Sequence, residues 1–456
     1  MPSRVFISTE CTQCGGILNL EEGTNAIHCP YCSASFLVTG YDKVLSYYIP
    51  KNLDERHTFA KSLAYRHLRT LTERCRIKEI NLFYLPFYRL RGKTFELETD
   101  LGTDFSHSGS LDLRQAKVKT RYLEKSFPAT HLEGLKIYSL GVRTSVLKLN
   151  LFKKGTLKEK GNVYPATMGI DKAMERGLGV NYKDAPDHCV ISKILSIVYA
   201  PFWEVNVLGI DSSFSIIIDA LGETIIDSSA PFQFLTAHLK EGDARDFPRI
   251  SFHTLQCPNC GWDIAVKPEQ CVFLCDNCHR AWESGTEGFQ EAGGAIVRVQ
   301  PIDDSSILKY YPFWILSVRD GYKMLGEEGK DVLKFFIPAF KVRNLTALYL
   351  LATSFTNAQP ELDLTPLTDD DLPSSQMEGA VVRWDDAQEL AELVLCSLAS
   401  HAHPGSAQDK KPVPPDITSR QLVWLPFFEK GMYLRDSLLN IGILKGKIRS
   451  PKLSAR

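Results

Sequence analysis

The chain has 456 residues, enough for roughly three or four domains by length alone, and a 44% apolar, 23% charged composition able to bury several cores. Its 53 basic residues balance 54 acidic ones, which excludes a globally basic nucleic-acid binder but not a local basic patch.

The opening residues, Met1-Pro2-Ser3-Arg4-Val5-Phe6, lack the long apolar core of a secretory signal, so a cytoplasmic location is expected. In that reducing compartment paired cysteines read as metal ligands and not as disulfides. Cys11, Cys14, Cys29 and Cys32 form CxxC, fourteen intervening residues, then CxxC. Two thiolates separated by two residues sit on one tight turn, and two such turns facing each other complete a tetrahedron of sulfur around one ion. Gly15 follows the second thiolate, where positive φ lets amide N–H groups point back at sulfur. Phe36, four residues past Cys32, can close this ribbon as an aromatic plug. His28 flanks a ligand, but four cysteines already fill the shell.

Next come Tyr47-Tyr48-Ile49-Pro50 and a helical stretch with Phe59, Leu63, Leu68 and Leu71 on one face. Leu82-Phe83-Tyr84-Leu85-Pro86-Phe87-Tyr88 then reads as a strand, rich in aromatic residues. A similar order recurs. Asn162-Val163-Tyr164-Pro165 precedes Ile197-Val198-Tyr199-Ala200-Pro201-Phe202-Trp203 by the interval that separates Pro50 from Pro86. The long apolar stretch Ile191 to Ile210 is interrupted by Lys193, Glu204 and Asn206, which argues against a membrane span. Lys148 to Lys160 is a basic stretch, expected as a solvated loop. Gly177-Leu178-Gly179-Val180 lacks the third glycine of a phosphate-binding loop.

Cys257, Cys260, Cys275 and Cys278 repeat the first quartet without an insertion, with Gly261 and Trp282 in the places of Gly15 and Phe36. Cys271 has the wrong spacing for a ligand and reads as a small buried residue, as do the isolated Cys75, Cys189 and Cys396. His279 flanks a ligand as His28 does. Lys309-Tyr310-Tyr311-Pro312-Phe313-Trp314 and Val423-Trp424-Leu425-Pro426-Phe427-Phe428 bring the proline-aromatic segments to four. Their prolines are separated by 115, 111 and 114 residues, a recurrence that argues for related modules. Proline cannot donate to a ladder, so each should sit at an edge, a strand start or a bulge. Leu135-Lys136-Ile137-Tyr138 with Val142-Arg143 echoes Leu333-Lys334-Phe335-Phe336 with Val342-Arg343. Ala358 to Gly379 reads as an acidic loop unlike a packed segment, and Ser400 to Thr418 as a proline-rich linker. Between them Asp385 to Ala399 predicts an amphipathic helix. A basic tail, Lys445 to Arg456, closes the chain.

The expected fold is therefore α+β and β-rich, an ancient doubling in which each half is one ribbon followed by two antiparallel modules with helices. The boundaries are ribbon 1 at 1–40, module 1 at 41–135, module 2 at 136–250, ribbon 2 at 251–290, module 3 at 291–357 and module 4 at 358–456. Two structural Zn²⁺ ions are expected, with rubredoxin-like iron as the other metal that tetrahedral sulfur suits. The sequence has no phosphate loop, nucleophile elbow or HExxH, and no catalytic residue is assigned.

With its two cysteine quartets and the segments around Pro86, Pro201, Pro312 and Pro426, the chain resembles a family of poorly characterised bacterial proteins. These carry transcription-factor-IIB-like zinc ribbons ahead of repeated PFW-type strands. Some relatives are associated with membrane-stress scaffolds of the phage-shock and SPFH type, so the resemblance implies an adaptor that reaches membranes peripherally, through partners. This chain departs from the pattern in having two ribbons and no terminal membrane helix. The expectation is a non-catalytic adaptor or scaffold that binds protein partners. The alternative is a nucleic-acid-binding protein using its ribbons plus Lys148–Lys160, although the ribbons themselves carry little positive charge. A third class, an enzyme hidden in the module cores, requires a deep pocket with converging polar groups.

Overall fold

The structure is a computed structural model that describes residues 6–64, 75–98, 118–131, 134, 137–140, 149–152, 161–179, 187–209, 213–238, 248–299, 307–325, 331–367, 376–402 and 416–448. Strands β1 (Phe6–Glu10), β2 (Ile17–Glu21), β3 (Ala26–His28) and β4 (Ser35–Thr39) frame the first cysteine quartet, and β5 (Leu45–Tyr48) follows. Then come β6 (Cys75–Leu97), β7 (Val118–Pro128), β8 (Leu149–Leu151), β9 (Asn162–Val163), β10 (His188–Gly209), β11 (Ser213–Asp219) and β12 (Ile225–Pro231). The second quartet lies among β13 (Ser251–Thr254), β14 (Val272–Leu274), β15 (Ala281–Gly285) and β16 (Gly288–Glu291). The last group is β17 (Ala295–Val297), β18 (Ile307–Arg319), β19 (Val332–Pro338), β20 (Leu364–Pro366), β21 (Ile417–Lys430), β22 (Tyr433–Asp436) and β23 (Gly442–Leu444).

Each of the four proline-aromatic segments is a strand, and they join in two antiparallel pairs, β6 with β10 and β18 with β21. The sheets grow around these pairs. Among the described residues the first holds ten strands, β1 and β2 of the first ribbon among them, and the second holds seven. Residues Val198 to Val207 of β10 are all buried, because both faces of the sheet are covered. Alternate side chains go to different cores: Phe83, Leu85, Phe87, Val198 and Phe202 to one, Leu82, Tyr84, Tyr199 and Trp203 to the other. In the second sheet Phe313, Trp314, Trp424 and Phe427 share a core with the helices Leu345–Ala358 and Trp384–Ala402. The same core receives Phe95, Val118, Cys189 and Ile191 from the first sheet, so the two sheets are joined through it.

The registers of the two pairs correspond. Pro86 lies opposite Tyr199 and Pro201 opposite Tyr84; Pro312 lies opposite Trp424 and Pro426 opposite Tyr310. In both, each proline faces the residue two before its partner's proline. The flanks correspond too. Phe87 pairs with Pro128 as Phe313 does with Pro338, and Phe202 with Asp219 as Phe427 does with Asp436.

The prolines lie inside long strands, and yet each is locally unpaired on one side. Strands β7, β11, β19 and β22 each end one residue before the N–H of Ala129, Ala220, Ala339 or Ser437, which bonds to the carbonyl of Pro86, Pro201, Pro312 or Pro426. In extended backbone a residue's N–H and C=O point to the same side, so each missing N–H falls where the flanking strand has already stopped.

The helix expected over Asp385–Ala399 spans Trp384–Ala402 and buries Leu390, Leu393, Val394 and Leu395. Gly177 and Gly179 mark the C-terminus of the helix Ile170–Leu178: Gly177 abuts Leu90, and Gly179 has φ 109°. Of the stretch with Phe59, Leu63, Leu68 and Leu71 on one face, Phe59 lies exposed on the helix Glu55–Ala64, while the side chain of Leu63 and all of Leu68 and Leu71 lie outside the described residues. One expectation needs correction. The supposed acidic loop contains β20, which pairs with β17, and Leu367 beside it is buried, as are Met377 and Ala380. Pro366 is tolerated there because β20 is an edge strand. Leu333–Phe336 belong to β19, whose register counterpart in the first sheet is β7. Of the stretch that echoes it in the sequence, Leu135, Lys136, Val142 and Arg143 lie outside the described residues, as do Cys75's side chain and Lys148, Lys153, Lys154, Lys158 and Lys160.

Candidate metal centres

Each quartet is built from two hairpin turns of one local design. In the first ribbon the N–H of Gly15 bonds to the Cys11 carbonyl and the N–H of Cys11 to the Gly16 carbonyl. The other turn repeats this with Ser33 to Cys29 and Cys29 to Ala34. The second ribbon follows the same scheme: Gly261 to Cys257, Cys257 to Trp262, His279 to Cys275 and Cys275 to Arg280. The residue after each second cysteine is left-handed, with φ of 72° and 73° at Gly15 and Gly261 but 59° and 56° at Ser33 and His279. Glycine fits that backbone without strain, whereas Ser33 and His279 hold it at a cost of about 1 kcal/mol or more each.

These turns converge the sulfurs. Cys11 Sγ lies 3.8 Å from Cys32 Sγ and Cys14 Sγ 3.8 Å from Cys29 Sγ. In the second quartet Cys257 and Cys278 are 3.5 Å apart, and Cys260 and Cys275 are 3.6 Å apart. Four sulfurs bound at the usual zinc distance in a tetrahedron stand about 3.8 Å from one another. A disulfide would bring two of them to about 2.0 Å, and none of the eight is so paired. Within each quartet all four sulfurs lie within 4.8 Å of one another. Both quartets could therefore hold a metal ion, with every position of a four-coordinate shell filled by protein and none open to water or substrate.

The thiols are poised unevenly. Hydrogen bonds from the Asn277 side chain and the Trp262 N–H lower Cys260 to about 6. Burial pushes Cys275 up to about 12. Burial also acts to raise Cys29, yet the N–H groups of Cys32 and Tyr31 bring it down to about 7. These donors stabilise the thiolate that a soft divalent ion requires. Trp282, buried as the plug of the second ribbon, donates its indole N–H to Cys257 Sγ at 3.2 Å. Phe36 is buried at the corresponding place among Cys11, Leu18 and Cys29. His28 is exposed and bonds Ser35 at 3.3 Å, so neither histidine enters a shell. Cys271 is buried beside the Ala380 carbonyl with its thiol pushed up to about 12 by burial.

The ribbons lean on each other. Strand β13, which leads into the second ribbon, pairs with β4 and completes the three-stranded sheet of the first. Ala26 and Leu37 of the first ribbon share a core with Leu255, Ile264, Phe273 and Trp282 of the second. Arg383, just ahead of the helix Trp384–Ala402, bridges both, donating to Asn25 Oδ1 at 2.8 Å and to the Ser284 carbonyl at 3.0 Å. The first ribbon is tied to its own sheet by Glu22, whose Oε2 accepts from Arg89 at 2.7 Å and Arg91 at 3.1 Å with the Glu22 and Arg89 side chains wholly buried.

One feature of the tips was not read from the sequence. Tyr31 is 66% exposed and covers Gly16, where an added Cβ would come within 2.5 Å of the ring. In the second ribbon the positions corresponding to Tyr31 and Gly16 hold Asn277 and Trp262, and Trp262 is 56% exposed. The aromatic has changed turns, but each tip keeps one. Superposing the two quartets residue by residue in the sequence would have exposed this exchange.

Comparison with family models, with curated proteins and with solved structures found no match to this chain. No helix among the described residues is long and apolar enough to cross a membrane.

Proposed function

We propose that the chain is a non-catalytic zinc-ribbon adaptor, built as two copies of one unit, whose metal centres shape surfaces for protein partners. The observation that carries this reading is the pair of closed four-cysteine shells, each fixed against the body of the protein while its tip presents an exposed aromatic residue. A closed shell leaves zinc no site for Lewis-acid chemistry on a substrate, so its contribution is to fold the ribbon. Tyr31 and Trp262 are large side chains left in water, as interaction surfaces leave them. The doubling is supported by the common register of the two proline-strand pairs and the common hydrogen bonding of the four turns. On this reading the ribbons occupy 1–40 and 251–290, and four strand modules fill the rest.

Elemental analysis of the reduced, purified chain tests the metal half of the reading, with two zinc ions per chain expected. Iron in their place would make the centres rubredoxin-like. Affinity capture from native cells by wild type and by the Tyr31→Ala/Trp262→Ala double variant tests the adaptor half. Partners should be recovered by the first and lost by the second. Retained nucleic acid, with affinity that falls steeply with salt, would replace the adaptor reading by a nucleic-acid-binding one.

A further inference from the structure

We infer that the open cleft between the two sheets is a binding site for an amphipathic anion, a phosphate or carboxylate carrying an alkyl or aromatic body. The cleft encloses about 630 Å³, within the size range of small-molecule sites. Its walls come from both sheets. Arg121 and Tyr122 project from β7, Arg343 and Leu345 stand where the chain enters the helix Leu345–Ala358, and Met432 and Leu444 belong to the β21–β22 turn and to β23. Thr120 and Thr346 meet beside it, their hydroxyl oxygens 3.2 Å apart across the seam.

Charge fixes the sign of the ligand. Two guanidinium groups line the cleft, and no carboxylate does among the described residues. Arg343 is exposed and has no ion-pair partner among the described residues. Arg121 meets Glu96 at 3.0 Å, with the two side chains 72% and 46% exposed. Such a pair adds little in water, so Arg121 can exchange it for an anion that both guanidinium groups hold.

The walls fix the rest of the ligand. Met432 is 74% exposed, Tyr122 42% and Leu444 40%, with Tyr433 beside them at 49%. Large apolar side chains gathered at one opening mark a surface that something apolar covers, and an unbranched thioether such as Met432 adapts to varied shapes. A head group alone would engage only Arg121 and Arg343, and a hydrocarbon alone only Tyr122, Met432 and Leu444. A molecule with both parts satisfies the whole cleft. The proposal does not rest on the metal centres.

Titration calorimetry on the full chain, with dodecyl phosphate below its micelle concentration, tests this. Dodecyl phosphate should saturate one site at least about tenfold more tightly than inorganic phosphate or dodecanol. Arg343→Ala and Met432→Ser should each weaken it about tenfold, while Arg319→Ala, at an exposed arginine outside the cleft, should not. Arg343→Gln serves if the alanine variant does not fold. Equal affinity for dodecyl phosphate and inorganic phosphate would overturn the proposal, as would equal effects of Arg343→Ala and Arg319→Ala. Binding to phosphatidylglycerol vesicles without binding to monomeric dodecyl phosphate would also overturn it, in favour of a membrane-facing surface.

Discussion

The indole nitrogen of Trp282 donates a hydrogen bond to the sulfur of Cys257 across 3.2 Å, a bond that Phe36 at the corresponding place in the first ribbon has no group to make. The two centres are alike in spacing and turn geometry, so this bond is a direct difference in how their thiolates are stabilised. Outer hydrogen bonds of this kind change metal affinity by about 10–100-fold.

A chelator titrated into the zinc-loaded chain should therefore empty the first centre before the second, in two resolved steps. Trp282→Phe should merge the steps by weakening the second centre about tenfold or more. Two steps that persist unchanged in the variant would show that the indole bond does not set the order.

Loss of the first centre should be felt in the second ribbon. Structural zinc contributes on the order of 10 kcal/mol of local folding energy, and β13 is bonded to β4 of the first ribbon. Cys29→Ser should raise hydrogen exchange across Ser251–Thr254 as well as in the first ribbon. Protection confined to normal values at Ser251–Thr254 would mean that β13 holds its place without β4.

The buried Glu22–Arg89 contact should be costly to break from one side. Glu22→Ala removes the wholly buried carboxylate that faces the wholly buried Arg89, whose contact with Glu124, at 2.9 Å, is to a half-buried group. The expected loss is about 3–5 kcal/mol in urea unfolding. The double variant Glu22→Ala/Arg89→Met should lose less than the sum of the single changes, because it removes the stranded charge.

Alkali should unfold the protein over a defined window. Burial pushes both Tyr84 and Tyr349 up to about 12 from the ordinary value of 10.0. Their folded values lie above their unfolded ones, so the folded state binds more protons in between. The stability they contribute is intact below pH 10.0 and is lost as the pH climbs through about 12. Absorbance of tyrosinate should show a late class that ionises only with loss of far-ultraviolet dichroism. Tyr349→Phe should remove one member of that class and cost about 1 kcal/mol, through the lost 2.6 Å bond to Ser397.

The cysteine quartets were legible because a tetrahedral shell is written in short, local spacing, and the aromatic strands because composition marks them. The pairing of those strands was not, since spacing along a chain carries no register between segments a hundred or more residues apart. Pro86 shows the difference: its effect on a ladder was clear from its chemistry, but the side it spares depends on where β7 ends. Ser33 and His279 occupy left-handed positions that only glycine announces in sequence. Arg89 and Glu22 looked like ordinary charged residues, and Arg383 gave no hint that it clamps both ribbons.

Because β13 completes the first ribbon, that ribbon cannot finish folding until Ser251–Thr254, far downstream of it, have been synthesised. The nascent ribbon must wait, with Leu37 and Val38 lacking their final neighbour, while the remaining strands of the first sheet are translated. An amino-terminal fragment ending before Ser251 is in this respect an interrupted molecule, and a host that makes this protein has reason to shield that ribbon during synthesis.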